Sequence, residues 1–163
     1  RVRSYKYLGI HFNEKLDWSE HSNSVVLKLK SRLYFMRKLN SVGLDHALLS
    51  IFYNSCITSV LSYCLTAWGG NTKKADSVKI DRILKQCNKM LGNDQRQFFD
   101  ILYAVSCNQK LNKIMAIESH PLQSKLVYSA RSNRLIHMPT KRQRHFNSFL
   151  PFAVRNFSPL FVQ

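Results

Sequence analysis

Apolar positions along the chain recur with two different periods. In residues 2–13, Val2, Tyr5, Tyr7, Ile10 and Phe12 make a β-rich run that Gly9 interrupts and the polar Asn13-Glu14-Lys15 closes, which predicts a strand. From 19 to 40 the period becomes helical. At about 100° per residue, Val25, Val26, Leu29, Leu33, Met36 and Leu39 fall within one sector of about 140°. Residues 47–68, ALLSIFYNSCITSVLSYCLTAW, carry no charge over 22 residues. That length permits a membrane span, but Asn54 and six Ser or Thr residues interrupt the run. A central helix covered on most sides by its neighbours is therefore expected.

Gly69-Gly70 ends that helix. A third is predicted over 73–91, with Val78, Ile80, Ile83, Leu84, Cys87, Met90 and Leu91 toward the core and lysines on the remainder. A fourth is predicted over 95–117, burying Phe98, Phe99, Ile101, Leu102, Leu111, Ile114 and Met115. His120-Pro121 breaks it, and a short helix over 121–130 follows. Residues 131–145 read as a basic loop, and the apolar 149–157 folds back onto the bundle. The fold class is thus mainly α: a helical bundle with a short N-terminal β-strand or hairpin and a basic, partly irregular C-terminal segment. Its parts are a leading strand over 1–18, the bundle over 19–118 and a basic extension over 119–163.

Charge changes this picture most. The chain has 25 Lys and Arg against 9 Asp and Glu, a formal net charge of +16. Such an excess repels itself on folding and points to a polyanionic partner, RNA or DNA first. No acidic residue follows Glu118, whereas Lys125, Arg131, Arg134, Lys141, Arg142, Arg144 and Arg155 do. Cys56, Cys64, Cys87 and Cys107 include no close pair spaced for zinc. Buried free thiols in a reducing, intracellular compartment, nuclear or cytoplasmic, are expected, and no secretory leader is recognised.

Familiar catalytic patterns are missing. The aspartates at 17, 45, 76, 81, 94 and 100 include no adjacent or alternate pair for two-metal chemistry. No histidine opens a His-x-Asp or His-x-Glu, so the mark of a two-His, one-carboxylate iron site is lacking. No glycine-rich nucleotide or methyl-donor loop, nucleophile elbow or His-Glu-x-x-His occurs. The expectation is a chain that is not an enzyme by itself and holds no metal or cofactor.

The segment YKYLGIHFNEKLDWSEH (5–21) resembles the stretch just after the palm of non-LTR retrotransposon (LINE-type) reverse transcriptases, through Lys6, Tyr7, Leu8, Gly9, Leu16, Trp18 and His21. The likeness continues through KSRLYFMRKL (30–39), IFYNSCITSVLSYCLTAWGG (51–70), KIDRILKQCNKMLG (79–92), His120-Pro121 within SHPL, and RQRHFNSFLPFAV (142–154). Up to about residue 92 the chain is also similar to a domain family named after the N-terminal part of an alkylated-DNA-repair dioxygenase homologue.

The first resemblance implies a thumb and post-thumb region that grips a template–primer duplex beside an upstream palm domain. The family's catalytic paired aspartates are absent from these residues. A thumb tracks a duplex through its phosphates, and the candidates are Lys28, Lys30, Arg32, Arg37 and Lys38 with Arg131, Arg134, Lys141, Arg142 and Arg144. Trp18 either caps the bundle or stacks on a base. The leading strand then reads as half of a hairpin at the palm–thumb junction of a severed fragment, either leaving an exposed edge or pairing only with itself. The expected function is non-catalytic, non-sequence-specific nucleic-acid binding, with no membrane partner. The alternatives are a protein-docking scaffold module and an accessory domain to an iron/2-oxoglutarate dioxygenase or methyltransferase.

Overall fold

In the computed structural model, residues 2–92, 98–131, 135–136 and 139–157 are described. The fold is mainly α with an N-terminal antiparallel hairpin, and its chain divides into two compact units. The first comprises Arg1–Leu65 and Thr72–Leu102, the second Thr66–Asn71 and Tyr103–Gln163.

The first unit opens with β1 (Ser4–Tyr7) and β2 (Ile10–Asn13), paired from Ser4↔Asn13 to Tyr7↔Ile10. The leading segment therefore pairs with itself. Its two-residue turn is Leu8-Gly9, with φ of 45° and 83°, and two positive φ values match the right-handed strand twist as a type I′ turn does. The chain then bends through Leu16 and Trp18, at φ 48° and 61°. Asp17 holds this bend: its carboxylate accepts from Asn13 Nδ2 at 2.7 Å, the Ser19 N–H at 3.0 Å and Lys73 Nζ at 3.2 Å.

The first helix, α1 (Ser19–Ser41), buries Val25, Val26, Leu29, Leu33 and Met36 as its period predicts, while Leu39 is only half-buried. It packs against the run α2 (His46–Phe52), a π turn (Tyr53–Thr58) and α3 (Ser59–Ser62), and against α5 (Lys74–Met90). Leu49, Ile57, Ile80 and Leu84 are solvent-excluded in this core, each worth about 1.5–3 kcal/mol of transfer free energy. Asp45 caps α2 by accepting the Ala47 N–H at 3.0 Å.

The central apolar run departs from expectation twice. It is one continuous path only to Ser62; Tyr63-Cys64 breaks it, Cys64 taking φ 49°, before the single turn α4 (Leu65–Trp68) and a 3₁₀ turn at Gly69–Asn71. It is also not covered on most sides. The run His46–Asn71 is long and apolar enough to cross a membrane, with mean hydropathy 1.5, yet 28% of its most apolar window is buried. Leu48 and Ile51 face solvent. On that open side Ser55 donates to the Ile51 carbonyl at 2.7 Å, Ser59 to the Ser55 carbonyl and Ser62 to the Ser59 carbonyl at 3.3 Å. Hydroxyls that interrupt the apolar run in sequence are thus turned back onto the helix's own backbone.

Further corrections concern single residues. Val78, Phe98 and Ile101, expected in the core, are exposed: Val78 and Ile101 fall on the side of their helices away from the buried stripe, and Phe98 precedes α6. Cys64 is exposed at the helix break and Cys56 half-buried, whereas Cys87 and Cys107 are buried.

In the second unit, α6 (Phe99–Ala116) buries Tyr103, Cys107, Leu111 and Ile114 on a single stripe; its first turn belongs to the other unit. The expected start of this helix at 95–97 lies outside the described residues. In place of a helix over 121–130 there is a 3₁₀ turn at Gln123–Lys125 and then extended chain, bridging Tyr128 to Leu135. His120 organises that turn, its Nδ1 accepting the Leu122 N–H at 3.1 Å. The C-terminal piece forms α7 (Gln143–Phe146) and α8 (Phe149–Arg155), burying Pro151, Ala153 and Val154. It folds back on α6, with the Tyr103 and Phe152 rings 4.6 Å apart.

Candidate nucleic-acid interface

Two contacts set the geometry of the basic surface on the first unit. Asp17, just before α1, pairs with Lys73, just before α5, at 3.2 Å. Near the other ends, Arg37 on α1 donates to Gln86 on α5. The two helices therefore run side by side in the same direction, with the Lys30–Arg37 edge of α1 along the Gln86 edge of α5.

The outer face of α5 carries Arg82, Lys85 and Lys89, all exposed and spaced three and four residues apart so that they line one stripe. Among the described residues none of the three forms an ion pair, whereas Lys74 reaches Asp100 at 3.8 Å and Lys79 reaches Asp76 at 2.7 Å. The sequence reading passed over the α5 stripe because lysines opposite an apolar face look like ordinary solvated charges. What distinguishes them is the neighbouring edge of α1, which contributes Lys30 and Arg37. Together they form a two-helix ridge. Each helix spans about 10 Å over these seven-residue intervals, room for about three phosphates of one strand.

The remaining α1 candidates lie further round the same helix. Lys28 and Lys38 are exposed, and Arg32 is half-buried with its guanidinium donating to the Lys28 carbonyl at 3.4 Å. Lys38 Nζ lies 5.9 Å from the centre of the Tyr34 ring. Tyr34 and Phe35 are exposed, and the sequence reading missed both. Their positions, one residue apart between basic residues on a helix whose apolar stripe runs elsewhere, were the available signal.

In the second unit, Arg131, Lys141, Arg142 and Arg144 are exposed, Arg142 preceding α7. Arg134 lies outside the described residues. Arg155, also basic, serves the fold: its guanidinium stacks 3.6 Å from the Phe146 ring and donates to the Phe146 carbonyl at 3.2 Å.

The motif residues at the head of the chain build the hairpin-to-helix junction. Lys6 and Tyr7 lie on exposed β1, and Leu8 and Gly9 form its turn, held by the Tyr63 hydroxyl donating to the Leu8 carbonyl at 2.7 Å. Trp18 is half-buried and packs on Phe12 with ring centres 5.5 Å apart. His21 is buried beneath it, its Nδ1 accepting the His11 N–H at 3.5 Å. Burial, and then the charges of His11 and Lys28, hold the His21 pKa down from 6.5 to about 4, so the ring is neutral at physiological pH.

The described aspartates are engaged in the fold. Asp81 caps α6 by accepting the Phe99 N–H at 2.8 Å, Asp45 caps α2, and Asp17, Asp76 and Asp100 are ion-paired; Asp94 lies outside the described residues. Among the described residues no group of three His, Cys, Asp or Glu side chains converges as metal ligands would. Burial raises the Cys87 and Cys107 thiols to about 12 and about 11, which keeps them protonated and poor nucleophiles.

Residues 18–59, covering α1, α2 and the whole π turn, match the family described as "Alkylated DNA repair protein alkB homolog 8, N-terminal". That match spans a minority of the chain and stops short of the boundary near 92 expected from sequence. No curated protein and no solved structure matches the chain. The match to the alkB homolog 8 N-terminal family therefore takes in α1, one of the two helices of the basic ridge, and does not reach α5.

Proposed function

We propose that the chain binds nucleic acid through its phosphates, without reading sequence, as a thumb-like part of a retrotransposon reverse transcriptase. The observation that carries this reading is the pair of parallel helices α1 and α5, where Lys30 and Arg37 lie on the α1 edge that meets α5 and Arg82, Lys85 and Lys89 line the exposed face of α5. Basic side chains on rigid helices at this spacing suit a backbone-tracking role, which needs register and charge rather than base-edge contacts. The +16 charge and the order of the motifs along the chain support it, and the matched family is named for a protein of alkylated-DNA repair. RNA and DNA are the partners, with a palm domain upstream in the parent polymerase. Catalysis is assigned to that palm and none to these residues.

Fluorescence anisotropy with an RNA–DNA duplex over a range of salt concentrations tests the reading. Affinity should fall linearly in log–log form, with a slope that grows with the number of phosphates neutralised. Weak binding with no slope would remove the proposal.

One observation favours a second reading, a docking module. Leu48 and Ile51 stand exposed on an uncharged helical run, the kind of surface that a neighbouring domain covers. Gel filtration separates the two readings. A monomer that shifts only with nucleic acid favours binding, and self-association in its absence favours docking.

A further inference from the structure

The α1 face turned away from the core presents apolar and aromatic surface where a solvated helix would carry polar groups. Tyr34 and Phe35 are each 55% exposed and Leu27 66%. The two rings meet edge to face, centres 5.7 Å apart and planes at 72°. Lys30, Tyr34 and Lys38 follow one another at four-residue intervals, a ladder of charge, ring and charge with steps of about 6 Å. Lys38 Nζ lies 5.9 Å over the Tyr34 ring, which orients the ring through its quadrupole.

Resting on the nucleic-acid reading above, we propose that this face takes an unpaired strand, its bases stacking on Tyr34 and Phe35 while Lys30 and Lys38 hold the flanking phosphates. Charge selects the class of partner. From His21 to Leu44 the sequence has no acidic residue, so an apolar protein surface docking here would bury lysines without counter-charges. A polyanion supplies them. The exposed ring faces then select the strand. In a duplex the base faces are already stacked on one another and only the edges reach a protein, whereas an unpaired base offers a face to any aromatic ring.

The ridge formed with α5 and this face are thereby assigned different parts of one polymer. Lys30 borders both, Arg82, Lys85 and Lys89 belong only to the ridge, and Tyr34 and Phe35 belong only to the outer face.

The test uses the wild-type chain and the double variant Tyr34→Leu/Phe35→Leu, which keeps apolar volume at two exposed positions and removes the rings. Each is titrated with a labelled single strand, a blunt duplex of the same sequence, and phosphatidylserine vesicles. Circular dichroism and thermal unfolding establish that both chains fold alike. The single-strand affinity of the variant should fall about tenfold or more, while duplex affinity stays within about twofold.

Equal losses on strand and duplex, or no loss on the strand, would overturn the assignment. So would vesicle binding that vanishes with the rings while strand binding persists, since the face would then belong to a lipid surface. A wild-type chain that binds the duplex with a normal salt slope but ignores the strand sinks this inference and leaves the broader reading standing. Failure to bind either form sinks both.

Discussion

Gly70 and Asn147 approach so closely that a Cβ on Gly70 would overlap the Asn147 carbonyl oxygen. The same oxygen accepts the Tyr103 hydroxyl at 3.0 Å, and Asn71 donates to the Arg144 carbonyl at 3.2 Å. The basic residues around α7 are therefore anchored from two sides within the second unit. Gly70→Ala should cost about 1–3 kcal/mol through overpacking against backbone that has little room to shift. The loss should concentrate in amide hydrogen exchange of α8. Tyr103→Phe, which removes only the hydroxyl, should cost about 1 kcal/mol. Unchanged α8 protection in Gly70→Ala would show that the close approach does not hold the segment.

The sequence speaks clearly where a period is long and speaks poorly where partners decide. α1 and α5 were legible because Leu29, Leu33 and Met36, or Ile80, Ile83 and Cys87, repeat over several turns. The break at Tyr63-Cys64 was not, because no Gly or Pro marks it; Cys64 takes a positive φ without one. The helix expected over 121–130 gave way because the His120 ring and the Gln123–Lys125 turn use those backbone groups locally. Of the candidate interface, the α1 lysines could be named from sequence. The α5 stripe needed the Arg37–Gln86 contact, which links residues 49 apart in the chain.

The N-terminal hairpin depends on a turn that its sequence suits only in part. Leu8 holds φ 45°, a left-handed conformation that costs a branched residue about 1–2 kcal/mol. Its side chain is exposed, so no burial repays this. Leu8→Asn creates the Asn-Gly pair preferred in such turns and should stabilise the chain by about 1 kcal/mol in urea unfolding. Tyr63→Phe should destabilise it by a similar amount, because the Leu8 carbonyl loses its 2.7 Å donor. If Leu8→Asn lowers the unfolding midpoint, the turn geometry assigned to Leu8 is wrong.

Acid should act on the hairpin-to-helix junction in two stages. His21 in the folded chain titrates near 4 rather than 6.5, chiefly because it is buried and then because His11 and Lys28 repel its proton. Between these values the unfolded chain binds the proton and the folded chain does not, so stability is full above pH 6.5 and falls as pH drops toward 4. The loss should be about 3 kcal/mol at most. Asp17 follows at lower pH. The Ser19 N–H, the Asn13 amide and Lys73 hold its carboxyl below the ordinary 3.8, so its contribution is present above that value and disappears beneath it. Proton NMR titration of His21 checks the first stage. A ring that titrates at 6.5 in the folded protein would place it in water instead of under Trp18.

Salt dependence distinguishes the lysines that are free to meet phosphates from those already engaged. Arg82, Lys85 and Lys89 share one stripe without an ion pair among the described residues, while Lys74 and Lys79 face Asp100 and Asp76. A lysine that neutralises a phosphate releases a counterion, and each such contact adds about 0.9 to the slope of log affinity against log salt on duplex DNA. Replacing Arg82, Lys85 and Lys89 together by Ala should lower that slope by about 2 to 3 and weaken binding on every sequence alike. Lys74→Ala/Lys79→Ala should change the slope by less than about 1, since their charges are offset before the nucleic acid arrives. Arg82, Lys85 and Lys89 are exposed on a helix and Ala is a good helix former, so the triple variant should unfold near the wild-type temperature. Lys79→Ala, by contrast, strips the buried Asp76 carboxylate of its partner and should lower the unfolding temperature of the double variant. Equal slopes for the two variants would mean that the ridge is an ordinary solvated face, and the C-terminal group of Lys141, Arg142 and Arg144 would then be the place to look for the phosphates.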